Sequence, residues 1–163
     1  MKLFHGSYLQ IEHPEISKGR NRVDFGQGFY LTGIQVQAEK WSKVIAIRKG
    51  PGFRPIVSIF ELDETLFTHT DFRIKSFKEY NMEWLQYVVD CRRGGKLQLD
   101  YDLVEGGVAN DNVIDTVEDY ENGRITAEQA LGQLMYKQVN HQICIRNQKI
   151  LDTYLRFVSF YQV

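Results

Sequence analysis

An α+β fold in one domain spanning residues 1–163 is what the sequence predicts, on three observations. Strand-like runs and helical periodicities follow one another without the regular alternation of a βαβ protein. The 163 residues suit one domain and are short for two. No repeat, low-complexity tract or linker divides the chain. A domain of this length buries roughly 70% of the surface that its unfolded chain exposes, so it folds without a metal or disulfide.

Lys2-Leu3-Phe4-His5 reads as the first strand, ended by Gly6-Ser7. Residues 8–28 read as loop, with Pro14, Gly19, Gly26 and Gly28. Loops this long inside a compact domain are usually functional or mobile, and this one is expected to cover the site. Phe29–Thr32 is a strand by its aromatic and β-branched content. Gln35–Arg48 is a helix, with Ala38, Trp41, Ile45 and Arg48 at helical spacing and Val44 beside them. Lys49-Gly50-Pro51-Gly52 stops it.

Pro55–Leu62 is apolar at most positions and predicts a well-buried strand. Phe72–Phe77 alternates strictly, as a half-solvated strand does. Glu79–Arg93 is a helix with Trp84, Leu85, Val88 and Val89 on its core side, closed by Gly94-Gly95. Tyr101–Val104 is a strand, and Asn112–Tyr120 a short helix. Thr126 with Gln129 three residues on is a capping box, opening a helix to about Gln138. Gln142–Ile145 and Leu155–Tyr161 complete the strands.

Hydrophobic residues make up 43% of the chain and charged residues 25%, as in a soluble globular protein. The formal net charge of −1 argues against nucleic-acid binding through a strongly basic surface, but leaves room for a local basic patch. Met1–His5 opens no signal peptide, and no apolar run is long enough to span a bilayer. Cys91 and Cys144 lack paired spacing, so no disulfide framework or thiolate zinc site is expected. The expected setting is cytoplasmic, with no membrane partner.

The most informative stretch is Asp24-Phe25-Gly26-Gln27-Gly28-Phe29-Tyr30-Leu31-Thr32. Its glycines allow backbone angles and close approaches closed to other residues. A tyrosine projecting from the following strand offers a flat face to a flat ligand. Asp24-Phe25-Gly26 matches the magnesium tripeptide of protein kinases, but the chain lacks their other motifs. Gly26-x-Gly28 precedes a strand rather than a helix and has Leu31 where a dinucleotide fingerprint needs glycine. His5, at the end of a strand, has two ring nitrogens suited to ribose hydroxyls, though a histidine bonded to backbone is as good a reading. His13, His69 and His141 show no metal spacing, and no metal is expected. Gln142 opens its strand. Cys144, on the same face, reads as a small core residue. Arg92-Arg93, Arg73 and Lys75 read as phosphate contacts or, more simply, as solvated faces, and Trp41 and Trp84 as packing.

Taken in order, Leu3-Phe4-His5-Gly6-Ser7, the glycine-aromatic stretch, Gln37-Ala38-Glu39-Lys40-Trp41, Trp84-x-x-x-Val88-x-x-x-Arg92, Tyr101–Ala109 and Asn140-His141-Gln142-Ile143 resemble a bacterial family of uncharacterised proteins thought to carry an ADP-ribosyltransferase-like fold. The resemblance implies split β-sheets with flanking helices and an NAD site bearing a His-Tyr-Glu signature. It assigns the histidine role to His5, which would hold the adenosine ribose and the nicotinamide amide. Tyr30 would stack on nicotinamide. The glutamate role falls on Gln142, a departure that removes the negative charge able to stabilise a positive ribose. Gly6, Ser7 and Gly28 border these residues as NAD contacts. Arg20 and Arg22, with Lys18, are placed to meet the pyrophosphate. The expected activity is transfer of ADP-ribose from NAD, as substrate, to an unknown protein or nucleic-acid acceptor. The family also suggests a toxin with a neutralising partner protein. The alternatives are NAD hydrolysis and a non-catalytic nucleotide-binding or protein-interaction module.

Overall fold

Among the described residues seven strands form two sheets, one of three strands and one of four, with five helices around them. The computed structural model describes residues 1–68, 71–109, 111–134 and 140–163. The three-stranded sheet has the order β1 (Lys2–Ser7), β3 (Ile56–Leu62), β7 (Leu155–Gln162), all antiparallel. The four-stranded sheet has the order β2 (Phe29–Leu31), β6 (Gln142–Ile145), β5 (Leu103–Gly106), β4 (Ile74–Ser76). Only β4 and β5 run parallel, joined across α2 (Met82–Arg93). The class is α+β, as expected.

The strands' two-residue period sorts the side chains into layers. Leu3, Phe60 and Leu62 from the first sheet meet Phe29, Leu31, Leu103, Ile143 and Ile145 from the second in one buried cluster. The second sheet's other face carries Val104 and Cys144, covered by Trp84, Leu85 and Val88 of α2, Val113 and Val117 of α3 (Asp111–Glu121), and Ala130 and Leu134 of α4 (Ala127–Leu134). Phe4 and Val57 on the first sheet's outer face meet Ala38 of α1 (Gln35–Lys49). The order of layers is helix, sheet, sheet, helices.

Several sequence expectations change in detail. Trp41 is 40% exposed, not core, because α1 carries apolar residues all round and buries Ala38, Ser42 and Ala46 instead. The Phe72–Phe77 alternation contracts to three paired residues, and α2 starts at Met82, where the Asn81 side chain caps Trp84 N. β5 lies two residues later than its apolar run suggests. A fifth helix, α5 (Gln148–Tyr154), follows the Asn147 cap and runs directly into β7. The end of the helix expected to reach Gln138, and His69, lie outside the described residues. Among the described residues no helix is long and apolar enough to cross a membrane.

The loop expected as a mobile cover is pinned to α5. Gln148 accepts from Ile16 N at 3.0 Å and donates to Pro14 O at 3.1 Å.

Candidate functional site

His5 stands where the two sheets meet. β2 is an edge strand, and Thr32 exchanges both main-chain hydrogen bonds with Phe4, at 2.8 and 3.0 Å. Main-chain groups alternate in direction along a strand, so Tyr30, two residues earlier, also turns its carbonyl toward β1. His5 Nδ1 donates to that carbonyl at 2.7 Å. A carbonyl can only accept, so Nδ1 holds the proton and Nε2 is left as a neutral acceptor. Burial lowers the imidazole pKa, opposed by this backbone bond, which keeps the ring uncharged at neutral pH.

The ring also stacks on Phe29, with centroids 4.4 Å apart. Ser58 is its cross-strand partner, and Ser7 follows two residues on, so the inter-sheet space is polar at this end. Ser58 Oγ accepts from Ile11 N at 3.0 Å, which folds the start of the loop back over that end.

Tyr30 and Gln142 lie on the opposite side of the same sheet. Tyr30 pairs with Cys144 across the strands, and Gln142 is two residues from Cys144, so all three share a face. The Tyr30 hydroxyl donates to Gly26 O at 2.7 Å and accepts from Phe25 N at 3.0 Å. Burial raises its pKa well above the ordinary tyrosine value. Tyr30 thus closes the Gly26 turn, whose φ of 76° favours glycine. Cys144 is buried, as expected, and burial pushes its thiol up to about 12.

Gln142 is held by a carboxylate to which no spacing in the chain joins it. Gln142 Nε2 donates to Asp24 Oδ2 at 3.1 Å and to Gly107 O at 3.5 Å. Asp24 also accepts from Ala109 N at 2.9 Å and from Arg92 Nη1 at 3.2 Å. Burial raises the Asp24 pKa, opposed by Ala109, Gln142 and Arg92. We take Asp24 as ionised, because all three partners donate to it. With the Gln142 amide nitrogen occupied twice, Oε1 is the end turned away from both acceptors. Asp24 is the site residue that sequence reasoning missed, and Arg92, read there as a phosphate contact or a solvated face, is its partner. The one signal was that Asp24 heads the glycine-aromatic stretch.

The structure therefore brings Tyr30 and Gln142 to one face and ties His5 to the Tyr30 main chain from the other sheet. The glycines serve packing. A Cβ on Gly28 would lie 2.5 Å from Cys144 Sγ and 2.7 Å from Ile145 O, and one on Gly6 would lie 2.1 Å from Ala38 O. Ser7 Oγ accepts from Leu9 N at 3.4 Å. Arg20 and Arg22 are exposed and diverge: Arg20 stands over the Trp41 ring of α1, and Arg22 lies beside Gly94, after α2.

The other basic residues weighed for phosphate face carboxylates instead: Arg92 with Asp24 and Glu118, Arg93 with Glu121, Arg73 with Asp102, and Lys75 with Glu83. His141 Nε2 lies 3.5 Å from Glu105, and His13 is exposed. Among the described residues no group of three or more His, Cys, Asp or Glu is arranged to hold a metal.

The chain matches, over residues 1–157, the family described as "Protein of unknown function (DUF3990)", and it belongs to that family. No curated protein and no solved structure matches it.

Proposed function

We propose that this member of the family binds NAD around the edge strand β2, between His5 on one side of that strand and Tyr30 and Gln142 on the other, and transfers ADP-ribose to a macromolecule in the cytoplasm. The observation that carries the reading is the His5 imidazole. Its proton is committed to the Tyr30 carbonyl, and Nε2 is a neutral acceptor at the polar end of the inter-sheet space. A ribose hydroxyl is the complementary donor. The motif-by-motif resemblance drawn in the sequence analysis points the same way, and an ADP-ribosyltransferase-like split-sheet fold is part of the proposal.

In the reaction the bond between ribose C1′ and the nicotinamide nitrogen breaks. Its electron pair goes to that nitrogen, and neutral nicotinamide leaves. A nucleophilic atom of the acceptor bonds to C1′ and gives up its proton to water. Positive charge develops on the ribose as the bond stretches. Gln142 supplies a carbonyl oxygen to a ribose hydroxyl, with its amide fixed by Asp24 and Gly107. The Asp24 carboxylate behind it supplies the negative charge that glutamine lacks, at the distance of one further hydrogen bond. Tyr30 offers its ring face while its hydroxyl holds the Gly26 turn.

A second reading, an NAD-binding module without transfer, is favoured by the same Gln142–Asp24 bond, since a glutamine buried in a satisfied network needs no catalytic role to explain it. A toxin role with a neutralising partner protein belongs to the first reading.

The test is NAD titration by calorimetry with the wild type and His5→Ala, followed by nicotinamide release with a lysate as acceptor. Loss of the His5 bond should weaken NAD binding by about 1–3 kcal/mol. Equal affinities remove His5 from the site. Binding without nicotinamide release selects the module. Release with free ADP-ribose alone selects hydrolysis.

A further inference from the structure

A set of cations without carboxylate partners lies on α1 and the loop against it. Residues 16–23 carry three basic side chains and residues 40–54 five, with acidic residues only at their borders, where Glu15 pairs with Lys18. In a chain of net charge −1, that concentrates positive charge on one side. Among the described residues, Arg20, Arg48 and Lys49 form no ion pair and sit over aromatic rings instead. Arg20 and Arg48 place their guanidinium carbons 5.4 and 5.8 Å from the Trp41 ring centroid. Lys49 Nζ is 4.7 Å from the ring of Tyr8, which meets the Phe53 ring edge-on at 5.2 Å. Trp41 and Phe53 are 40% and 45% exposed, a poor use of large apolar rings unless something covers them.

We propose that this face docks a single-stranded nucleic acid, and that nucleic acid is the class of ADP-ribose acceptor; the acceptor half of the statement rests on the transfer reading above. Charge complementarity and the rings select this occupant together. A strand supplies phosphates for cations that lack carboxylates and base planes for guanidinium and indole faces, in the alternation that a single strand has and a duplex hides. An acidic peptide would meet the cations but leave the rings bare. A Cβ on Gly6, next to His5, would lie 2.1 Å from Ala38 O and 3.0 Å from Ser42 N, so the turn of α1 that bears Trp41 packs on the outer face of β1, one strand's thickness from the His5 ring on its inner face.

The experiment is fluorescence anisotropy of a labelled single-stranded oligonucleotide, without NAD, across a series of salt concentrations. Vesicles rich in phosphatidylserine are run in parallel. The wild type should bind the strand with an affinity that falls as salt rises. The double variant Arg20→Ala/Arg48→Ala should flatten the slope of log affinity against log salt by about 0.7 for each lost phosphate contact. Trp41→Ala should weaken binding by about tenfold and leave the slope nearly unchanged. Arg156→Ala, on β7 and paired with Glu61, should bind as the wild type does. Trp41 is half exposed, so its removal should leave the far-ultraviolet dichroism intact, which confirms that any loss is local.

Absence of strand binding at low salt, vesicle binding without strand binding, or wild-type affinity in both the Trp41 and the arginine variants each overturns the proposal. Because NAD is left out, a failure here leaves the NAD titration standing. Conversely, an NAD failure with intact strand binding removes only the transfer.

Discussion

Replacing Gln142 by glutamate restores the signature carboxylate, and the structure predicts that it destabilises the fold without adding charge. The new carboxylate would stand about 3 Å from Asp24, where Nε2 now donates at 3.1 Å. Two ionised groups at that distance repel by roughly 5 kcal/mol at an effective dielectric constant near 20. The pair avoids this by keeping one proton. Holding a carboxyl neutral at pH 7, against an unfolded value of about 4.3, costs at most about 4 kcal/mol at about 1.36 kcal/mol per pH unit.

The sign follows from the raised folded pKa. The penalty is absent below the unfolded value, where both states are protonated, and grows as pH rises above it. Urea denaturation of wild type and Gln142→Glu at pH 7.5 and 4.5 measures it. The deficit should be about 2–4 kcal/mol at the higher pH and under about 1 kcal/mol at the lower. Adding Asp24→Asn removes one of the two charges and should recover at least half of the loss at pH 7.5. Equal stability of Gln142→Glu and wild type at pH 7.5, with no coupling to Asp24, would refute the Gln142–Asp24 contact. The shared proton also means that Gln142→Glu should not raise nicotinamide release at neutral pH, because the pair still carries a single negative charge.

Three further outcomes follow from the same geometry. Tyr30→Phe deletes the bonds to Gly26 O and Phe25 N and should cost about 1–3 kcal/mol in denaturant melts, while keeping the ring; an unchanged midpoint would show that the hydroxyl does not hold the turn. Gly28→Ala drives a methyl against Ile145 O, a main-chain atom that cannot step aside, and should lower the melting temperature clearly, whereas Gly33→Ala meets nothing within 4 Å and should melt near the wild type; similar melting of the two variants would contradict the close packing at Gly28. The lowered His5 pKa means that stability is lost as pH falls from the unfolded value of about 6.5 toward the folded one, and that NAD affinity holds through the unfolded value and declines only at the lowered folded one, as Nε2 becomes a donor; His5→Ala should remove that acid sensitivity of folding, and an unchanged profile would place the titrating group elsewhere.

The parts of the fold legible in the sequence are those whose signal is local. The short strand-like runs of β1 and β7, and the closing glycine and core stripe of α2, each stand in one continuous segment. Helix α5 was not legible, because its seven residues are too few for a periodicity and it passes into β7 with no glycine or proline between. Trp41 misled because an indole at helical spacing reads as core. Its partners are Arg48, one turn and more along α1, and Arg20, on a separate loop, and no spacing rule joins Arg20 to it.

The candidate site divides in the same way. His5, Tyr30 and Gln142 were legible as residue types in suggestive places, each on a strand. What governs them was not. The tautomer of His5 is set by a carbonyl 25 residues away, and the amide of Gln142 by a carboxylate 118 residues away. The sequence alone makes Gln142 a loss, a neutral group where the chemistry asks for an anion. The structure moves the anion to Asp24, one hydrogen bond behind the glutamine, where Arg92 and Ala109 hold it. A charge in that position costs less to bury than one on residue 142, because its donors are built into the fold rather than brought by the ligand. In the proposed transfer it would act on the ribose through Gln142 Oε1 rather than by contact, which makes Asp24 a positioning residue in that reading. Asp24→Asn should then reduce nicotinamide release while leaving NAD affinity near that of the wild type, and a parallel fall of both would make Asp24 purely structural.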